Sequence, residues 1–364
     1  ADVDDKEVWY SEGCATFGYS ELQENKTAEY GAGTIGGYQS PLALLDSLPN
    51  AFVGSRRTMY MFQPAIGSFY EGIQYGHKEL LSARDPWSGY IHYDPVLYML
   101  SHITKFAKTG WENDTNTNGI WRVLPNATYG SFGSSDNEHQ TAGINGDASY
   151  MTLAAPDKTN FSTVFINNTQ NEKTFAIKTS DLNLSVDALH IWTTVTDDYL
   201  KQGEDVKIED GIAYVTVPAY SVVTATTLDT TPERFPTEDG SGDYIQTEKR
   251  TVLDTDYTGK NQNTTDDYLY ADNFEYTNEE DVTVYNATTG KETTENYLVS
   301  RGNEPRYMLD THGAWIVENG QLKQENASSV NQWNGGDPAT IVGDWRWMDY
   351  SASIDVTLPG AEAS

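Results

Sequence analysis

The chain has 364 residues, 38% of them hydrophobic, which is enough for two or three domains with a core each and excludes a disordered polypeptide. Lysine and arginine number 23 against 54 aspartate and glutamate, and the net charge of -31 repels phosphate backbones and anionic headgroups, which argues against nucleic acid and membrane surfaces as partners. The single cysteine, Cys14, excludes an internal disulfide and reads as a buried inert thiol, and no stretch approaches a transmembrane span.

Near the start, KEVWYSEG places a short buried strand at residues 8–10. Gly13 can break it, which leaves Glu12 at its carboxyl end, where α/β barrels keep their chemistry. In SPLALLDSLPNAF, Ser40 is an N-cap, Pro41 stands at the first helical position, and Leu42, Leu45 and Leu48 supply one face. A second buried strand follows at residues 58–63 and ends at Pro64, giving the strand–helix–strand rhythm of a barrel or doubly wound sheet. The next helix starts with Asp94 as cap and Pro95 inside it, and Val96, Met99, Leu100, Ile103 and Ala107 line one side. Lys105 and Lys108 complement its dipole, and Gly110 ends it.

After Trp111 the texture changes to short alternating runs such as SYMTLAA, STVFINN and KTFAIKT, with a hairpin signal at Asp210-Gly211, and these indicate a β-sandwich over residues 112–228. Residues 229–265 are rich in Thr, Asp, Glu and Gly and read as a linker. A second β region fills residues 266–364 with fewer strands than a complete sandwich needs, so it is expected to be incomplete.

Three histidines, His77, His92 and His102, fall close together, but their spacing repeats no zinc pattern and His102 lies within an amphipathic helix, so they read as structural. Sequons occur at Asn25, Asn113, Asn126, Asn160, Asn167, Asn183, Asn263, Asn286 and Asn326. With an acidic, Asn/Thr-rich, nearly Cys-free composition and no basic, apolar leader after Ala1, they point to a secreted, extracellular microbial enzyme, any export signal having been removed or lying outside this chain.

KEVWYSEG, then SFYEGIQYGHKELLSARDPWSGYIHYDPVLYMLSHITKFAKTGW, then ATIVGDWRWMDYSASIDV, in that order, resemble the galactocerebrosidase family, glycoside hydrolase family 59. The PWSG tetrapeptide with the SHITKF helix behind it is the most specific part of the likeness. The resemblance implies a multidomain α/β plus all-β protein. Residues 1–111 would hold the last strands and helices of a (β/α)8 (TIM) barrel, residues 112–228 a β-sandwich, and residues 266–364 the start of a lectin-like β-sandwich. It further implies a retaining β-glycosidase acting on β-galactosides of a glycan or glycolipid, without a catalytic cofactor.

The family's nucleophile is the glutamate of a W-x-S-E segment, which here is Glu12. Its acid/base glutamate, usually preceded by Asn, would precede Ala1, so the chain by itself is expected to be inactive. Gln63 stands, with Phe62 beside it, where the family has a tryptophan; Tyr75 matches a pocket tyrosine; and Trp87 of PWSG is a candidate sugar platform. The family's substrate-reaching sandwich arginine has no counterpart beyond Lys173. Asp272, Asn273 and Glu275 in ADNFEY resemble the start of a lectin-like domain that binds calcium in some relatives, and hard oxygens of this kind suit a structural calcium ion.

Two other readings compete. SEGC and SHITKF are also similar to segments of the glucosylceramidase and xylanase group of barrel-plus-sandwich glycosidases, which PWSG fits poorly. A carbohydrate-binding module would hold a glycan without needing a carboxylate at position 12.

Overall fold

The computed structural model describes residues 6–13, 35–36, 40–62, 65–67, 79–83, 90–107, 121–131, 147–228, 252–253, 255–257, 262–263, 268–276, 282–286, 289–300, 302–326, 337–344 and 346–358. It divides into two compact units, Ala1–Arg84 with Ile91–Thr247 and Asp85–Tyr90 with Glu248–Ser364.

The first unit opens with strand β1 (Val8–Gly13), helix α1 (Pro41–Pro49) and strand β2 (Arg57–Phe62). Ser40 caps α1 by accepting a hydrogen bond from the Ala43 N–H at 3.1 Å, and Pro41 enters at the first helical position, where its missing N–H costs nothing. Leu42, Leu45 and Leu48 of α1 are buried as their spacing requires, each such burial contributing about 2 kcal/mol. The chain leaves α1 through a π-helical turn, Asn50–Gly54, and enters β2, which pairs parallel with β1.

Strands β3 (Ile66–Gly67), β4 (Leu81–Ser82) and β5 (His92–Tyr93) form a small sheet, β4 central, before helix α2 (Pro95–Thr104). Val96 and Met99 of α2 are buried, and Leu100 and Ile103 pack against the core that contains Met99. Two expectations for α2 need correction. It ends at Thr104 rather than at Gly110, with Lys105 as C-cap, and Asp94 occupies the N-cap without a side-chain bond to the helix because its carboxylate is engaged by Ser82.

Next come β6 (Arg122–Val123), β7 (Ser149–Ala154), β8 (Phe161–Asn167), β9 (Lys173–Lys178), β10 (Ala188–Val195), β11 (Asp198–Gln202), β12 (Val206–Lys207), β13 (Ile212–Val217) and β14 (Ser221–Thr226). A seven-stranded antiparallel sheet runs β11-β10-β14-β8-β7-β6 with β12 on β10, and a two-stranded sheet pairs β13 with β9. Phe161, Phe165, Leu189, Ile191 and Val223 of the large sheet share a core with Ala213, Val215 and Val217 of β13. On the opposite face, Val164, Ile166 and Val222 pack with Leu42, Leu45 and Leu48 of α1 and Met99 of α2. Strands β8 and β14 are therefore buried along their whole length, whereas β9 alternates between covered and exposed positions. Asn167, at the end of β8, is fully buried and donates its amide to the carbonyls of Asn171, Val217 and Pro218, so its sequon offers no nitrogen to a glycan in the folded chain.

The second unit is built of small sheets. Strands β15 (Thr255–Tyr257), β16 (Gln262–Asn263) and β17 (Tyr270–Asp272) form one, β18 (Val282–Asn286) and β19 (Lys291–Glu295) a hairpin before the short helix α3 (Tyr297–Ser300), β20 (Leu309–His312) pairs with β23 (Ala339–Ile341), and β21 (Trp315–Glu318) with β22 (Gln321–Gln324). Its buried large apolar side chains among the described residues are Leu253 and Val317. Asp344 holds this region together: its carboxylate accepts from the Leu253 N–H at 2.9 Å and from the Arg346 guanidinium at 2.6 Å, and the Trp347 indole N–H donates to the Leu253 carbonyl at 2.7 Å.

Candidate functional site

The β1–α1–β2 unit carries the sequence's main candidate. A parallel pair cannot be closed by a tight turn, and α1 supplies the crossover. Tyr10 stacks on Tyr60 with ring centroids 4.7 Å apart, and the Arg57 guanidinium sits 4.4 Å over the Tyr10 ring. Trp9 and Met61 lie on the other face, 55% and 39% exposed, and the Trp9 indole N–H donates to the Glu7 carboxylate at 3.0 Å. The register is irregular at the carboxyl end. Tyr10 pairs with Tyr60 and Gly13 with Phe62, so three steps along β1 match two along β2 and a β-bulge falls across Ser11 and Glu12. Glu12 is the penultimate residue of β1.

The expected calcium residues stand at the end of β17, in the second unit. The Tyr270 and Tyr276 hydroxyls donate to Asp272 Oδ2 at 3.1 and 2.8 Å, and the Phe274 N–H donates to Oδ1 at 2.7 Å. Burial pushes the Asp272 carboxyl up, and these hydrogen bonds together with the Arg306 charge oppose the shift. Burial and the Asp272 charge likewise push the Tyr276 hydroxyl up, although it accepts the Arg306 N–H at 3.1 Å. Asn273 Oδ1 accepts the Glu275 N–H at 3.0 Å. One oxygen of Asp272 and the amide oxygen of Asn273 thus accept from backbone N–H groups of their own turn, and the other oxygen of Asp272 accepts from the two tyrosines. Among the described residues, no group of three or more His, Cys, Asp or Glu could hold a metal ion.

His102 joins α2 to the large sheet. Its Nε2 lies 2.7 Å from Thr194 Oγ1 and its Nδ1 2.8 Å from Thr224 Oγ1. The Leu200 N–H donates to Thr194 Oγ1, so the Thr194 hydroxyl proton is available to Nε2. The Thr224 hydroxyl in turn donates to the His102 carbonyl, which leaves Nδ1 as the protonated nitrogen of a neutral ring. Burial pushes the imidazole down to about 3. It is a structural histidine, and His92 stands apart from it with Nε2 4.0 Å from Asp94 Oδ1.

The bulged W-x-S-E strand, its parallel partner and the α2 helix stand in one stretch of sequence, and that stretch is similar to a known family. Residues 1–105 match Glycosyl hydrolase family 59. Galactocerebrosidase of Danio rerio is 32% identical over 60 residues, 16% of this chain and 9% of that protein, and galactocerebrosidase of Canis lupus familiaris is 26% identical over 106 residues, 29% of this chain and 13% of that protein. The matched part therefore spans about a tenth of the length of these relatives. Among solved structures, the catalytic domain of GH30 xylanase C from Talaromyces cellulolyticus has a TM-score of 0.38 at 14% identity, covering 61% of this chain and 41% of that one. A GH30 endoxylanase from Clostridium papyrosolvens C71 has a TM-score of 0.36 at 11% identity, covering 61% and 42%.

Within the family 59 segment, Glu12 lies on β1, while Gln63, Tyr75 and Trp87 lie outside the described residues, as does His77. Lys173 opens β9 opposite Val217. Sequence reasoning missed the buried set Glu79, Ser82 and Asp94, also within that segment. Only Asp94 carried a signal, and that signal was for a helix cap. No helix among the described residues is long and apolar enough to cross a membrane.

Proposed function

We propose that this chain carries the nucleophile of a retaining β-glycosidase, exo-acting on β-galactosides of a glycan or glycolipid outside the cell, and that Glu12 is that nucleophile. The observation that carries this reading is the bulge across Ser11 and Glu12 at the carboxyl end of a strand in a parallel pair, inside the segment that matches Glycosyl hydrolase family 59. Bulges at strand ends re-aim side chains and recur beside active sites, and barrel enzymes place their chemistry at this end of the strands. Under this reading β1 and β2 are the last strands of a (β/α)8 barrel, the sheets over residues 147–228 form the sandwich beside it, and the second unit belongs to a lectin-like domain.

The Glu12 carboxylate attacks the anomeric carbon while an acid on another strand end protonates the leaving oxygen; water then releases the sugar, with that acid now acting as base. Retention sets the two carboxyl groups about 5 Å apart. No position of this sequence matches the acid/base segment, so the second carboxylate is not assigned to this chain. Gln63, Tyr75 and Trp87 are the residues proposed to shape the sugar site.

A fluorinated β-galactoside with an activated leaving group tests Glu12 directly, because departure of such a group needs no acid. In a protein carrying both carboxylates it should label the peptide containing Glu12, and Glu12→Gln should abolish the label and lower turnover by at least about three orders of magnitude, a barrier increase of about 4 kcal/mol. A label on a different carboxylate, or an active Gln variant, sinks the assignment. Faster cleavage of aryl β-xylosides or β-glucosides than of β-galactosides would move the protein to the xylanase and glucosylceramidase group.

A further inference from the structure

The register of the β1–β2 pair is irregular twice, and the two irregularities cancel. Val8 pairs with Arg57 and Gly13 with Phe62, so the two end pairs stand five residues apart along both strands. Between them Trp9 pairs with Met59 and Tyr10 with Tyr60, each one residue further along β2 than the end pairs imply. The first shift leaves Thr58 as the surplus residue of β2, and the second leaves the surplus of β1 across Ser11 and Glu12. A uniform register would set Trp9 opposite Thr58, Tyr10 opposite Met59 and Glu12 opposite Met61. No bulge would then be needed.

A bulge interrupts the ladder and leaves its extra residue unpaired, so an offset centre needs a compensating hold. Tyr10 and Tyr60 supply it. Their rings stack with centroids 4.7 Å apart and planes 18° apart, an arrangement open to residues that stand opposite each other on one face of the sheet. In the uniform register Tyr10 would oppose Met59 instead, and Tyr60, the next residue along, would fall on the other face. The Arg57 guanidinium, 4.4 Å over the Tyr10 ring, is a second hold on the same side chain. Strand β2 is the fixed member of the pair, because Tyr60 packs against the cluster of Leu42, Leu45 and Leu48 and against that of Leu44 and Val96, where Phe62 also packs. Strand β1 takes up the difference, and it does so at Ser11 and Glu12.

We propose that Tyr10 and Tyr60 are positioning residues for Glu12: the stacked pair holds the centre of β1–β2 one residue out of register, and the bulge that carries Glu12 is where β1 recovers it. The role rests on the reading of Glu12 as the nucleophile. Neither tyrosine need touch the sugar. Without the stack β1 settles into the uniform register, which moves Glu12 from the bulge to a regular position opposite Met61. Misplacing a reacting group by about 1 Å costs about a hundredfold in rate.

Tyr10→Leu keeps apolar bulk and removes the ring, Tyr10→Phe keeps the ring, and Tyr60→Leu removes the ring from the other strand. Crystal structures of the variants read the register, and turnover of an aryl β-galactoside by a protein carrying both carboxylates reads its consequence. Tyr10→Leu should set position 10 opposite Met59 and lower kcat about a hundredfold with KM within about threefold, whereas Tyr10→Phe should keep the offset register and a kcat within about twofold of the parent. A Tyr10→Leu variant that keeps the offset register, or that melts lower with kcat per folded molecule unchanged, overturns the proposal. Tyr60→Leu, measured in the same way, decides the matter if Tyr10→Leu does not fold. The label left by the fluorinated β-galactoside separates this role from the reading beneath it. A parent labelled on a carboxylate other than Glu12 removes the nucleophile and the positioning role with it; a parent labelled on Glu12, with Tyr10→Leu labelled as fast, overturns the positioning role alone.

Discussion

At the scale of single residues, His102 shows how a group that invites a functional reading becomes a keystone. Its ring is fully buried and bonded at both nitrogens, and burial lowers it from 6.5 to about 3. The unfolded chain takes up a proton there below pH 6.5 and the folded chain does not, so the contribution is complete above 6.5 and is lost as pH falls toward 3. Stability of the parent should therefore drop by roughly 1 kcal/mol per pH unit below 6. His102→Gln, which cannot charge, should be less stable at pH 7 and show a flatter decline; denaturant melts at several pH values measure both, and parallel slopes would deny His102 this role. The Asp272 corner gives a second residue-level expectation. Because the Asp272 and Asn273 oxygens already accept from Tyr270, Tyr276 and their own turn, millimolar calcium or its removal with a chelator should leave the unfolding midpoint unchanged. A calcium-dependent rise would show that the turn opens to hold the ion.

At the scale of elements, β8 and β9 carry similar alternating-run signals, yet one is buried throughout and the other shows an exposed face. The difference lies in a second covering layer, since α1 and α2 lie on the face of β8 that faces away from β13. Ile166→Ala on β8 should therefore cost about 2–5 kcal/mol, and Thr174→Ala on the outer face of β9 no more than about 0.5 kcal/mol. Chemical denaturation of the two variants checks the contrast, and similar losses would mean that the helices do not cover the sheet. On α2, Asp94 shows the reverse effect: a residue read correctly as an N-cap by position has its carboxylate drawn to Ser82, and the cap keeps only its extended backbone.

At the scale of the whole molecule, the two units differ in how much apolar surface they bury. The first contains several continuous cores, whereas the described part of the second buries Leu253 and Val317 and leaves Ile354, Val356 and Leu358 exposed. Local opening free energy follows burial, so amides of β8 and β14 should exchange with solvent slowest, and those of the β18–β19 hairpin and residues 351–358 fastest. Hydrogen exchange read by mass spectrometry resolves these segments. Equal protection in the two units would show that the second has a core as continuous as the first.

The amino-acid sequence alone determined what depends on near neighbours: the Ser40 cap and leucine face of α1, the apolar side of α2, the strand ending near Glu12, and the runs that became β7 to β10 and β12 to β14. Capping, helical spacing and strand alternation each act within a few residues, so they are written in the local pattern. The bulge across Ser11 and Glu12, the burial of β8 and β14 on both faces, the partners of His102 and the gathering of Glu79, Ser82 and Asp94 were decided only by the tertiary structure. Each depends on residues distant in the chain, such as Thr224, which stands 122 positions from His102, and a periodic pattern records that a face is covered without recording what covers it.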